Sequence, residues 1–231
     1  MNKTTVFLSV TGIAAALQLA AAGEISGTIT LKGTPPAEKE VDKGADAHCG
    51  AKGTTHHYVV GSKGELANVV VFLEGVSGKS TGAGAPPVVL DQKGCEYAPS
   101  IFAVQTGQKI TIKNSDPTLH NVHATPAETS GNKEINEAQI PNGPEKTYVA
   151  MKPEMFLRFK CDVHPWMFAW VSVFDHPYFA VSGTDGTYKI ENVPAGKYKL
   201  QAAHRKAGTA TQEIEVKEGA PTKADFTLEA K

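Results

Sequence analysis

The side chains best suited to chemistry sit in one short stretch of this 231-residue chain, Phe159-Lys-Cys-Asp-Val-His-Pro-Trp-Met167. It sets a thiol (Cys161), an imidazole (His164) and a thioether (Met167) close together. Such donors make a soft nitrogen–sulfur site of the kind copper selects, where two His and one Cys form a plane and a Met is the weak axial ligand. The stretch is one His short, so the rest of the chain must supply it. Zinc is the competing metal, but a thioether ligand argues against it. A binuclear centre needs a second loop cysteine, and residues 163–167 contain none.

The missing imidazole is sought in Asn114-Ser-Asp-Pro-Thr-Leu-His-Asn-Val-His123, where His120 and His123 both qualify. On a strand, residues 120 and 122 share a face and 123 points the other way. Val122 is apolar, so the face of His120 is the inward one, and His120 is the expected ligand. Asn121, beside it, is expected to pin the Cys161 loop by a hydrogen bond. Pro165 and Trp166 flank His164, which makes that imidazole the expected exposed edge of the site; a Trp166 packed simply as core is the alternative. His56, His57, Met151 and Met155 are read as solvated or strand-packing residues, and His176 and His204 carry no functional expectation.

The compartment follows from the N-terminus. Lys3, the apolar run 6–19 and Ala20-Ala21-Ala22 before Gly23 read as a signal peptide over residues 1–22. The apolar run is shorter than the roughly 20 residues a membrane span needs. The mature chain is therefore expected in the periplasm or outside the cell, with no span left after cleavage. In that oxidising setting two of three cysteines should pair. With Cys161 reserved as a thiolate, Cys49 and Cys95 are the expected disulfide, although spacing does not fix connectivity and two free thiols are the alternative. The balance of 23 Lys+Arg against 24 Asp+Glu gives no electrostatic reason to expect nucleic acid or an anionic membrane as partner.

The elements that must position these residues read as strands. Period-two alternation marks 24–31, and short strands follow at 58–60, 67–73, 88–91, 101–104 and 109–114. More are expected at 146–150, 156–161, 168–174, 187–190, 198–204, 211–216 and 224–228. Residues 37–57 read as a long polar loop, 75–87 as a Gly/Pro/Ser linker, and 124–144 as a polar excursion with at most one helical turn. Many short strands at regular turn spacing indicate an all-β chain of sandwiches or barrels.

Three segments together, Tyr97-Ala-Pro-Ser-Ile-Phe-Ala-Val-Gln-Thr-Gly-Gln, Asn-Ser-Asp-Pro-Thr-Leu-His-Asn-Val and Cys-Asp-Val-His-Pro-Trp-Met, resemble the cupredoxin (type 1 blue-copper) family, over roughly 85–176. The ligand-loop spacing is similar to that of amicyanin. The resemblance implies a Greek-key sandwich with His120, Cys161 and His164 in the copper plane, Met167 as axial contact, and a role in electron transfer. The chain departs from that family in two ways. The Cys49 and Cys95 pair is not part of the simplest cupredoxins, and Phe168, Trp170, Ser172 and Phe174 share a mostly apolar face where charge is expected. Such a face needs cover, and a second domain packed there is expected.

That second domain is sought in Ser182-Gly-Thr-Asp-Gly-Thr-Tyr-Lys-Ile-Glu-Asn-Val-Pro-Ala-Gly-Lys-Tyr-Lys-Leu200, which resembles carboxypeptidase regulatory-like domains of transthyretin-like sandwich fold. The family's first strands match 23–28 and 67–73, far upstream. A discontinuous sandwich of 23–82 and 178–231 is therefore expected, with the copper domain, 83–177, inserted at a loop; a plain succession of domains is the alternative. The function expected is one-electron transfer by a single copper, not catalysis, with a redox partner protein docking near His164. A copper-delivery protein and a surface module, with carbohydrate as a possible ligand, are the alternatives.

Overall fold

The structure, a computed structural model, describes residues 22–231. The expected signal peptide, apart from its last residue, lies outside the described residues. The chain is all β: among the described residues the helical content is two single 3₁₀ turns, Ala47–Cys49 and Gly82–Gly84. The first strands are β1 (Gly23–Lys32), β2 (Glu40–Asp42), β3 (Lys52–Thr54) and β4 (Val70–Glu74). The middle of the chain holds β5 (Val88–Gln92), β6 (Tyr97–Ala98), β7 (Ile101–Gln105), β8 (Lys109–Asn114) and β9 (His120–Thr125). It continues with β10 (Ile135–Gln139), β11 (Lys146–Val149), β12 (Glu154–Lys160) and β13 (Phe168–Phe174). The last are β14 (Phe179–Val181), β15 (Thr187–Val193), β16 (Gly196–His204), β17 (Gly208–Val216), β18 (Pro221–Lys223) and β19 (Phe226–Glu229).

Strands β5–β13 build two sheets, ordered β10-β9-β12-β13-β7 and β11-β8-β5-β6. Their inward residues, among them Leu90, Ile110, Ile112, Val122, Phe159 and Val171, form one apolar core. Strands from the two ends of the chain build the other pair of sheets. In one, β1 pairs with β15, β18 and β19; in the other the order is β14-β4-β16-β17. Ile25, Ile29, Val71, Leu73, Ile190 and Leu200 fill the space between them. The alternation along β1 explains its inward Ile25 and Ile29. Gly27 is required there, because a Cβ at that position would lie 1.9 Å from the Ala224 carbonyl oxygen.

The C-terminal part of the apolar outer face of β13 is covered, while Phe168 at its start is exposed. Phe174 meets Phe72 of β4 and Phe179 of β14, with ring centroids 4.7 and 5.0 Å apart, and Val70 and Ala203 close the same small cluster. Ser172 is fully buried beside them. This contact joins the two sandwiches.

Local differences from the expected strands have identifiable causes. The strand expected at 67–73 starts at Val70, because Asn68 adopts φ 62 and the N–H groups of Asn68 and Val69 bond to Ser182. Residues 58–60 make only a bridge, Val60 to Leu66. The loop expected over 37–57 contains the hairpin β2–β3, whose strands are too short and polar to carry an alternating signal. The excursion expected over 124–144 contains β10, an edge strand with one buried side chain, Gln139, and so it too lacks an apolar pattern.

Candidate metal centre

Two neighbouring strand ends bring the donors together. His120 opens β9, and Cys161 follows the last residue of β12, its neighbour in the sheet. The chain then turns back into β13 through a tight loop, closed by Cys161 N–H to the Met167 carbonyl at 3.2 Å and Met167 N–H to the His164 carbonyl at 2.9 Å. His120 Nδ1 and His164 Nδ1 are 2.8 Å apart, and Cys161 Sγ lies 4.0 and 3.8 Å from them. A triangle with those sides has a centre about 2.1 Å from every corner, within the range of metal–nitrogen and metal–thiolate bonds. The donor set and its dimensions fit a copper ion.

All the donors are withdrawn from water: His120 is 0% exposed, Cys161 2%, His164 2% and Met167 1%. Two backbone N–H groups, of Asn121 and His164, each lie 3.4 Å from Cys161 Sγ, placed to donate to a thiolate. The Asn121 carboxamide oxygen accepts from Asp162 N–H at 2.5 Å, tying β9 to the ligand loop. Tyr97 reinforces the tie by donating to the carbonyls of Asn121 (2.8 Å) and Lys160 (3.2 Å); burial holds its phenol well above its ordinary pKa.

Each imidazole has a carboxylate behind it. His120 Nε2 is 2.9 Å from Asp116 Oδ2, and His164 Nε2 is 3.2 Å from Asp46 Oδ2. A proton on Nε2 of each ring satisfies these bonds and leaves both Nδ1 lone pairs toward Cys161, the arrangement that fixes a metal-binding tautomer. Asp116 is buried, which pushes its carboxyl pKa up. Hydrogen bonds from Cys95 N–H, His120 and Gly94 N–H outweigh this and hold it below the usual value. Those two N–H groups belong to a turn in which Cys95 has φ 56, so Asp116 also steadies a rarely populated backbone conformation. Burial lowers the pKa of His120, with the Asp116 bond opposing the shift. Asp46 caps the Ala47–Cys49 turn; the Thr118 hydroxyl and the His48 N–H hold its carboxyl at a pKa of about 2.

One expectation is corrected. His164 is not the exposed edge of the site. The arm running through β2, the Ala47–Cys49 turn and β3 closes over it. Three links hold the arm down: the Cys49–Cys95 disulfide, the 2.9 Å ion pair from Lys43 to Glu96, and the bond from Thr118 to Asp46. A polar segment far upstream supplies this cover, which residue types around the ligand loop do not reveal. Asp46 and Asp116 are likewise the site residues that the sequence pattern missed. The expected disulfide was the available signal for Asp46, because it draws residues 46–49 toward the centre.

The remaining candidates fall elsewhere. His123 faces away from the donors and bonds Asp162 and Glu134, both at 2.7 Å. Met151 and Met155 are exposed. His176 is buried beside Phe174 and Tyr178. Trp166 is half-buried; its indole N–H donates to the Cys95 carbonyl at 3.1 Å, and its ring centroid is 5.1 Å from that of His164.

A family model, the carboxypeptidase regulatory-like domain, matches residues 165–229. The match begins inside the ligand loop and takes in β13, which is hydrogen-bonded in the sheet of the metal centre, as well as β14–β19. No curated protein matches the sequence. Among solved structures, an oxidised proline-to-glycine mutant of amicyanin is 18% identical over 45% of this chain and 97% of its own, with a TM-score of 0.34. A purple cupredoxin from Nitrosopumilus maritimus is 19% identical over 38% of this chain and 99% of its own, at 0.31. A Cu-containing nitrite reductase from Thermus scotoductus SA-01 is 17% identical over 38% of this chain, at 0.34, and the chain spans only 22% of that enzyme. These likenesses are slight, and the chemistry of the centre is read from its own donors.

Proposed function

We propose that this protein is an exported, cupredoxin-like electron carrier that holds one copper ion with His120, Cys161, His164 and Met167. The observation that carries the reading is the convergence of two imidazole Nδ1 atoms and the Cys161 sulfur on a common point about 2.1 Å from each. When bound there, copper supplies a one-electron Cu(I)/Cu(II) couple. The protein's part is mechanical. Asp116 and Asp46 fix the two rings, Asn121 and Tyr97 fix the loop, and burial keeps water from the sulfur. A scaffold that holds its donors so firmly serves a change of oxidation state with little movement.

Burial of all the donors favours electron exchange over delivery of the ion, because an acceptor's ligands have no direct approach. Trp166, half-buried with its ring centroid 5.1 Å from that of His164, is the side chain through which a redox partner would couple. The strand pairing supports the further reading that residues 83–177 are inserted into a sandwich made of 23–82 and 178–231, since among the described residues β1 and β4 pair only with strands that follow β13. That sandwich is assigned a supporting role.

Adding copper to the metal-free protein tests the proposal. The expected result is one ion per chain and an intense visible thiolate-to-copper absorption in the oxidised form. Protein that stays colourless with Cu(II) contradicts it.

A further inference from the structure

A cavity of about 930 Å³ lies beside the candidate metal centre, where the β2–β3 arm, the ligand loop and the β16–β17 turn meet. Its size falls in the range of small-molecule sites, and Trp166, Met167 and Trp170 give it an aromatic and apolar wall. The charge on the wall is unbalanced. Four cations, Lys43, Arg158, Arg205 and Lys206, face two carboxylates, Asp42 and Glu96, and Glu96 is already paired with Lys43.

The two arginines are the telling residues. The Arg205 guanidinium carbon sits over the Trp170 ring, 3.3 Å from its centroid, and Arg158 donates from Nε to the Thr125 hydroxyl at 3.0 Å. Among the described residues neither makes an ion pair with a carboxylate. Burial, and then the charge of Arg158, bring the pKa of Arg205 down to about 10. Guanidinium groups on an aromatic wall are suited to take the two oxygens of a carboxylate, and an anion there offsets their charge.

We propose that this cavity binds a small aromatic carboxylate, its anionic head at Arg158 and Arg205 and its flat body along Trp166. The site stands on the cavity and its charge alone and does not depend on copper. Because Met167 and Trp166 are shared walls, the occupant lies directly against the ligand loop.

Both tryptophans of the chain line the cavity, so their two indole N–H resonances report on it without any mutation. The test is a titration of the full chain, metal-free and loaded with diamagnetic Cu(I), with 2-naphthoate and with the neutral 2-naphthamide. Saturable shifts of both indole signals are expected in both forms of the protein, with the amide at least about tenfold weaker. The double substitution Arg158→Gln and Arg205→Gln should weaken naphthoate by a similar factor, and Lys197→Gln, outside the cavity, should leave it unchanged. Equal binding of carboxylate and amide, or unmoved indole signals, overturns the proposal, and these need only the unmodified protein. Unchanged naphthoate binding by a folded double variant overturns it as well. Failure of the copper reading would show instead as normal naphthoate binding by a protein that does not take up copper.

Discussion

The two sandwiches are built from similar strands and similar apolar residues, yet their interiors differ. Between β1 and β4 and their partners the interior is almost wholly aliphatic and aromatic, with Ser182 and His204 as buried polar side chains at its margins. The sandwich of β5–β13 buries Gln92, Asn114, Asp116, His120, Asn121, Gln139 and His164 as well as its apolar core. Burying polar groups is costly unless each is bonded, and most of these are: the Gln92 amide N–H to Gln139, Asn114 to the Gln139 carbonyl, Asp116 to His120; the Gln92 carboxamide oxygen is buried without a partner. These buried polar side chains gather around the candidate metal centre, whereas Gln105 and Ser172 of the same sandwich are buried elsewhere.

The contrast can be broken first at the sulfur. Cys161→Ser should abolish the visible copper absorption completely while leaving the thermal unfolding of the protein close to that of the unsubstituted chain. Loss of the fold instead would mean that the thiol is there for packing. Removing the disulfide with Cys49→Ser and Cys95→Ser should cost about 4 kcal/mol of stability by the loop-entropy estimate, measured by denaturant unfolding, and should expose His164 by loosening the arm. In the aliphatic interior, Leu200→Ala should cost about 3 kcal/mol as a cavity substitution and leave the copper spectrum unchanged. A spectral change there would show that the two interiors are not separable.

A pH effect of comparable size is expected from His204. Burial, and then Arg205 and His57, hold its pKa at about 4, and its neutral Nδ1 accepts from the N–H groups of Lys206 and Ala207. The unfolded chain takes up this proton near pH 6.5 and the folded chain only near 4. Its contribution is therefore complete above pH 6.5 and declines as pH falls toward 4, by roughly 3 kcal/mol. His204→Asn should flatten that part of the profile of melting temperature against pH. The smallest effect concerns the centre itself: Asp46→Ala removes the carboxylate behind His164 and should weaken copper binding by about tenfold, measured by competition with a chelator.

The parts legible from residues alone were those with local patterns. The candidate ligand loop stood out because three possible donors lie close in sequence, and His120 was singled out by its shared face with Val122; both side chains are buried. Most strands followed from alternation, and the apolar face of β13 correctly signalled a neighbour, now seen as the Phe72–Phe174–Phe179 contact. What escaped depends on distant segments meeting. Asp46 is a polar loop residue indistinguishable in sequence from any solvated aspartate, and only the arm's closure makes it a support for His164. β10 and the β2–β3 hairpin escaped for a related reason: a strand with one or no buried side chain has no pattern to read.

The most direct test of the central claim is a redox titration of the copper-loaded protein, followed through its visible absorption. The expected result is one copper per chain, a band that bleaches and returns reversibly, and a single one-electron transition. A protein that binds only Cu(I), shows no coloured oxidised form and yields its ion to a chelator as soon as one is added would contradict it.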